Sequence, residues 1–267
     1  MTMRITVAAD APEVAGFQSE FGLSLLLRTA SGIFLFDTGA GTALLPNLRR
    51  MGLDAEDIRK VILSHGHYDH TGGLAEIHPE EIWCCRGIGS GHYSLHADGT
   101  VHDISMPGNA RTVLDQARIH WSDTFRQIAP ELLLTGPIER GSAEDCGGKF
   151  FHDPDCRIPD DIAEEQALLT SDGFLITGCC HAGLINTINH CRKHHPEIRI
   201  RAVVGGLHLR NADPARLEQT AACLRENGIS EMFPMHCTGE KAIEYLRREL
   251  KECRIVSPCP GDTLTLA

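Results

Sequence analysis

Several features are missing from this 267-residue chain, and each absence narrows what it can do. No run of lysines or arginines offsets a formal net charge of -11. Nucleic acids and anionic membranes recruit clustered positive charge, so neither is an expected partner. No stretch reaches the roughly 20 consecutive apolar residues that span a bilayer. The start, MTMRITVAAD, lacks the basic-then-apolar layout of a secretory signal. Eleven cysteines are present but no C-x-x-C, and Cys84-Cys85 and Cys179-Cys180 are adjacent pairs instead. That spacing argues against a zinc ribbon or a thioredoxin-type site. Without an export signal the expectation is reduced thiols in a cytoplasmic protein. No internal repeat, low-complexity tract or separating linker is visible, so one domain over residues 1–267 is expected.

What is present reads as α/β. Short apolar strands are expected at Met3–Ala9, Phe21–Arg28, Ile33–Phe36 and Lys60–Leu63, with a polar helix near Thr42–Met51. From about 84 to 161 the pattern mixes loops with short strands such as Glu131–Leu134, as a variable region over a pocket would. The tract 141–161 reads as a long loop, and loops of that length are mobile or functional. Beyond it, strands at Ala167–Thr170, Phe174–Thr177, Ile200–Val204 and Glu231–Met235 alternate with helices at Gly183–His195 and Glu240–Leu250. Between the last two strands lies a further helix with Asp213 as N-cap, Pro214 in its first turn and Gly228 as its stop. Two sheets packed face to face, with helices outside, would bury this pattern.

Fifteen histidines are the stronger clue, and four ligand-type side chains fall within six residues: His65, His67, Asp69 and His70. A short strand delivers them to a loop, where sites tend to be built. In extended backbone, residues two apart point the same way, so His65 and His67 can grip one ion together. Asp69 and His70 then turn toward a second position. Gly66, Gly72 and Gly73 relieve crowding where backbone approaches the ions. Imidazole and carboxylate suit zinc, with iron or manganese as competitors. The remaining histidines carry less. His190, His194 and His195 read as a solvated helix face, while His92, His96 and His102 fall near a pocket mouth. Cys84 and Cys85 read as small packing residues.

H-x-H-x-D-H followed by a Gly-rich helix start resembles the signature of the metallo-β-lactamase superfamily. Phe34-Leu35-Phe36-Asp37-Thr38-Gly39 resembles its first motif, whose aspartate supports the metal ligands from behind. Gly178-Cys179-Cys180-His181-Ala182-Gly183, Gly205-Gly206-Leu207-His208-Leu209 and His236-Cys237-Thr238-Gly239 resemble one branch, the dihydropteridinyl-methyl-ribofuranosyl-aminobenzene-phosphate synthase-like proteins. The resemblance implies a four-layer αββα sandwich of two mixed sheets with helices outside, and two divalent metal ions. It implies that His181 completes the site of His65 and His67, while His236 joins Asp69 and His70. The chain departs from the pattern at Cys179, where many members carry a bridging aspartate. Asp69 or solvent must then link the ions, or Cys179 binds as thiolate, or only one ion is held. His152 is a further candidate ligand.

The expected activity is metal-assisted hydrolysis of an ester, phosphoester or related small molecule, anionic ones included. Coordination brings the pKa of bound water from about 16 toward 7, making hydroxide available at neutral pH. Asp69 would orient the nucleophile and take its proton. His208 would bind substrate or donate to a leaving group, or else be a hydrogen-bonded structural histidine. Three alternatives stand beside this. One is an iron-dependent redox enzyme. Another is a pterin- or ribosyl-phosphate-related synthase or transferase on the same site, and the third is a non-catalytic metal-binding protein.

Overall fold

A computed structural model describes residues 3–142, 144 and 148–264. Two seven-stranded sheets form the centre. The first runs, edge to edge, Thr263–Leu264, Arg4–Ala9, Ser24–Thr29, Gly32–Phe36, Lys60–Ile62, Glu81–Cys84 and Arg118–Trp121. The second runs Arg254–Ile255, Glu231–Pro234, Ala202–Gly205, Phe174–Thr177, Leu168–Thr170, Leu132–Leu134 and Arg126–Ala129. Each sheet is mixed, with a parallel block beside antiparallel hairpins.

The period-2 alternation of strand side chains explains the layering. Leu25, Leu27, Phe34 and Phe36 of the first sheet face Leu168, Ile176, Val204 and Phe233 of the second in one cluster between the sheets. Their neighbours Leu26 and Leu35 point outward to the helices Leu44–Arg50 and Gly108–Gln116. On the other side Leu169, Leu175, Val203 and Met232 meet the helices Leu184–His194, Pro214–Glu226 and Glu240–Glu249. Helix, sheet, sheet, helix is the αββα sandwich expected. Every central strand is apolar on both faces because each sheet is covered twice.

Most elements fall within a residue or two of their sequence assignments. Asp213 caps its helix by accepting the Arg216 N–H at 2.8 Å, and Pro214 stands in the first turn. The region 84–161 has a structural part in the sandwich as well. It contributes edge strands to both large sheets, because the chain crosses from one to the other there. Only a small antiparallel sheet of Tyr93–Leu95, Val101–Asp103 and Phe150–Phe151 is left to cover the site. Phe150–Phe151 is a strand inside the tract read as a loop; residues 143 and 145–147 of that tract lie outside the described residues. His190 also departs from its reading as solvated. It is buried and its Nε2 donates to the Thr135 carbonyl at 3.2 Å, so that helix turns one of its histidines inward. No helix among the described residues is long and apolar enough to cross a membrane.

Phe36 is fully buried between the sheets. Phe36→Ala removes a ring that neighbouring strands cannot close over, so unfolding free energy should drop by about 3–5 kcal/mol. Urea denaturation checks this, and a loss below about 1 kcal/mol would mean that the inter-sheet layer is not the principal core.

Candidate metal centre

Five parallel strands of the two sheets end on the same side, and each releases a chemically active residue there. Asp37 follows Gly32–Phe36, and Ser64 to His70 follow Lys60–Ile62. Cys179 and His181 follow Phe174–Thr177, His208 follows Ala202–Gly205, and His236 follows Glu231–Pro234. Strand C-termini at the mouth of an open α/β sheet are where ligand sites form. Backbone at these turns is unusual. Asp37, Cys180, His208 and His236 adopt positive φ of 57°, 65°, 48° and 55°. Residues other than glycine hold such conformations only where their surroundings over-determine them.

The ligand atoms of His65, His67 and His181 lie within 4.8 Å of one another, and so do those of Asp69, His70 and His236. All six residues are buried. A third grouping joins Cys179 to His65 and His70, and a fourth joins it to His181 and His208. Cys179 thus stands between the two histidine sets, with its Sγ 3.2 Å from His70 Nε2. Cys237, which its sequence context did not single out, clusters with Cys179 and His236. His152 is not brought to this point. Its ring is 6.0 Å from that of His92, and its nitrogens face the Gly91 carbonyl and Asp160.

Support from behind is dense. One Asp37 oxygen accepts the Ser64 N–H at 2.7 Å; the other accepts the Ser64 hydroxyl and His70 Nδ1–H, both at 2.7 Å. Because the Ser64 hydroxyl is spent as a donor, it accepts from His65 Nδ1–H at 2.8 Å. Both His65 and His70 are thereby set to present Nε2 as a lone pair. Ser64 was not legible as a site residue, and His92 departs from its expected place near a pocket mouth. His92 is fully buried, with Nδ1 2.6 Å from Asp160 and its ring 5.2 Å from that of His67.

Electrostatics divide the cluster in two. Burial, helped by the other imidazoles, pushes His65 and His181 well below the usual histidine range, and burial pushes His67 down to about 3. Neutral imidazole is the ligating form. Burial also opposes charge on His236, but the hydrogen bond with Asp69 and the nearby Cys237 and Asp10 outweigh it and raise His236 to about 9. Asp69 is held below the usual carboxylate range against the pull of burial, because His70, His236 and His67 face it. Burial raises the Cys179 thiol; in Cys237 it is outweighed by Cys179, His208 and His236, which lower it. Buried polar atoms usually find a partner. Here His67 Nε2, both nitrogens of His181, His236 Nδ1 and His208 Nδ1 have none. Buried imidazole nitrogens left unpartnered in this way fit divalent cations.

A cavity of about 440 Å³ opens directly onto both groups. Phe21, Tyr68 and Phe150 form aromatic walls, and His96 and His102 stand at its rim on the small sheet. No lysine or arginine lines it among the described residues.

Fold and site together place this chain in the metallo-beta-lactamase superfamily, whose family model matches residues 19–164. It is 30% identical to the 7,8-dihydropterin-6-methyl-4-(beta-D-ribofuranosyl)-aminobenzene-5'-phosphate synthase of Methanocaldococcus jannaschii, over 93% of this chain and 92% of that protein. Among solved structures, Tm1679, a metal-dependent hydrolase of the beta-lactamase superfamily, is 31% identical with a TM-score of 0.86, each chain covered in full. A diphosphatase from the PhnP family shares the fold alone, at 10% identity and a TM-score of 0.57 over 99% of this chain and 97% of that one.

The two ligand groups should differ in pH response. His65, His67 and His181 are already neutral at pH 7, so zinc affinity at their position should be flat between about pH 6.5 and 9. His236 must lose a proton to bind a cation, so affinity at its position should rise about tenfold per pH unit until its pKa of about 9, then level off. Zinc titrations against a competing chelator across that range check the contrast; two parallel profiles would contradict it.

Proposed function

We propose that this chain is a metal-dependent hydrolase of small-molecule esters, phosphoesters or related compounds. In this reading one divalent cation is held by His65, His67 and His181, and a second by Asp69, His70 and His236. The carrying observation is that residues of both buried groups line a single cavity, and that several imidazole nitrogens in them have no hydrogen-bond partner. Zinc suits their nitrogen and oxygen donors, and the thiols of Cys179 and Cys237 add soft sulfur beside them. When bound, such cations supply Lewis acidity, easing deprotonation of water and stabilising negative charge on oxygen.

The chain's own groups do the remaining work. Asp69 is ionised and lies against His236 at the cavity, so its carboxylate can orient the attacking water and accept a proton from it. His208 lies beside His181, ring centroids 4.4 Å apart, with Nδ1 free of any partner. It is placed to hydrogen-bond the scissile group and to pass a proton to the departing oxygen. Phe150 lies over His67 and His181 at 5.6 and 5.3 Å, and Phe21 against His236 at 4.7 Å. These rings exclude water from the cavity walls and offer flat surfaces to an organic substrate. Since no lysine or arginine lines the cavity among the described residues, negative charge on a substrate would be met chiefly by the cations themselves.

A second reading has one specific support, the 30% identity to a synthase over nearly the whole chain. The same residues would then activate a pterin or a ribosyl phosphate rather than water. Isotope-labelled water separates the two: hydrolysis places one labelled oxygen in the product, and transfer to another acceptor places none.

Zinc-loaded protein should turn over members of a phosphodiester, phosphomonoester and ester panel. The double substitution H65A/H67A should abolish both zinc retention and turnover. D69N should lower kcat by about 100-fold or more, the range lost with a general base. H208A should lower kcat by about 10- to 100-fold while zinc content stays unchanged. Full turnover by H65A/H67A would refute the assignment.

A further inference from the structure

The metal-centre reading leaves unexplained how ligands from two different sheets keep a fixed separation. The two halves are far apart in sequence: His70 and Cys179 are 109 positions apart, and His70 and His236 are 166 apart. The residues that meet both halves are three consecutive polar side chains entering the strand Leu168–Thr170. Glu164, Glu165 and Gln166 are 6%, 2% and 0% exposed, an uncommon burial for two adjacent carboxylates.

Each reaches a different partner, and each partner is backbone of a ligand-bearing turn. Glu165 accepts the N–H groups of His181 and Ala182 on its two oxygens, at 2.7 and 2.6 Å. Glu164 accepts the N–H of Gly66, which lies between His65 and His67, at 3.3 Å. The same Glu164 oxygen is 3.3 Å from Nε2 of His92, whose Nδ1 is anchored on Asp160 at 2.6 Å. Gln166 donates its side-chain amide to the Leu63 carbonyl at 2.8 Å, and its backbone N–H to the Ser64 carbonyl at 2.9 Å. Arg140 completes the His181 side by donating to that residue's carbonyl at 3.0 Å. The turn from Leu63 to Gly66 belongs to the first sheet and His181 to the second, yet one tripeptide binds both.

Resting on the metal-centre reading, we propose that Glu164-Glu165-Gln166 is a positioning strap that sets the distance between His65 and His67 on one sheet and His181 on the other. Backbone anchoring suits this task because it fixes where the imidazoles start without occupying their nitrogens. Carboxylates suit 164 and 165, because an ionised oxygen accepts an N–H more strongly than an amide oxygen does. Two neighbouring N–H donors need two acceptor oxygens, and an amide in place of Glu165 would turn an NH₂ group against one of them. Burial strengthens these bonds and makes a lost partner costly. Glu164 and Glu165 touch none of the groups of the Asp69, His70 and His236 position, so their influence should be confined to one of the two cations.

The test titrates zinc into metal-free wild-type, E165Q, E164Q and E131Q proteins against a competing chelator, and records the visible absorption of the cobalt-loaded forms. Glu131 makes a comparable clamp on Ser31, at 3.0 Å to its N–H and to its hydroxyl, remote from the site, and so reports general destabilisation. E165Q and E164Q should each weaken one zinc equivalent by about 10- to 100-fold, the usual loss for an outer-layer partner of a metal ligand. They should leave the other equivalent at wild-type affinity, and they should alter the cobalt spectrum. E131Q should change none of these. If E165Q does not fold, E164Q decides the matter alone. Folded E165Q or E164Q with wild-type affinity at both equivalents and an unaltered cobalt spectrum would overturn the strap while leaving the metal centre intact. Wild-type protein that takes up no zinc would overturn the metal centre itself and the strap with it.

Discussion

The structure depends above all on one buried carboxylate. Asp37 is fully inaccessible, and an unpaired ionised group there would cost several kcal/mol or more. Its oxygens are satisfied by the backbone and hydroxyl of Ser64 and by the ring of His70. Through Ser64 the same carboxylate also sets the tautomer of His65. One side chain at the end of one strand therefore orients a histidine in each ligand group. The turn that carries Asp37 is held in turn by Thr38, whose N–H and hydroxyl both donate to the His70 carbonyl, at 2.7 and 3.0 Å. Loss of this hub would disturb His65 and His70 together, one from each group.

Around the hub, strain and charge are distributed unevenly. Four of the six positive-φ residues other than glycine, among the described residues, lie at the strand ends of the site. Such conformations cost on the order of 1–3 kcal/mol each. The three apolar layers offset that cost by holding the strands rigidly, so the turns have no cheaper alternative. Charge follows the same geometry. The imidazoles deepest in apolar surroundings stay neutral, whereas His236 retains a proton because Asp69 sits against it, with Nε2 3.3 Å from the carboxylate. Two ligand groups of similar composition thus have different protonation because only one of them includes a carboxylate.

How much could be read in advance varied with how local each feature is. The cluster from His65 to His70 was legible because its donors are contiguous and the extended backbone alone aligns His65 with His67. Asp213 with Pro214 announced a helix start for the same reason. His190 was misread as solvated because helical position says little about which face meets a neighbour. His92 was expected near a pocket mouth, and its burial was not legible because its partner is remote; Asp160 comes to it from 68 positions away. Ser64 beside the histidines and Cys237 beside His236 lacked a signal of their own, and their roles emerge only from who faces them. The region 84–161 resisted because it crosses from sheet to sheet, and its short strands are defined by partners elsewhere in the chain.

Residue identity and period-2 alternation by themselves determined the strands, the two-sided burial of the central ones, and hence a helix–sheet–sheet–helix stack. They also determined which side chains had the chemistry to bind a cation. The family resemblance implied that Asp37, His65, His181 and His236 share one site, and tertiary structure decided how closely they approach. It also decided that Cys179 stands between two ligand groups and that three polar residues at 164–166 join both sheets. The physical reason is range. Strand and helix patterns are set by neighbours a few residues away, whereas a metal-binding geometry requires atoms from segments more than 100 positions apart to agree within a few ångströms, and only the packed core enforces that agreement.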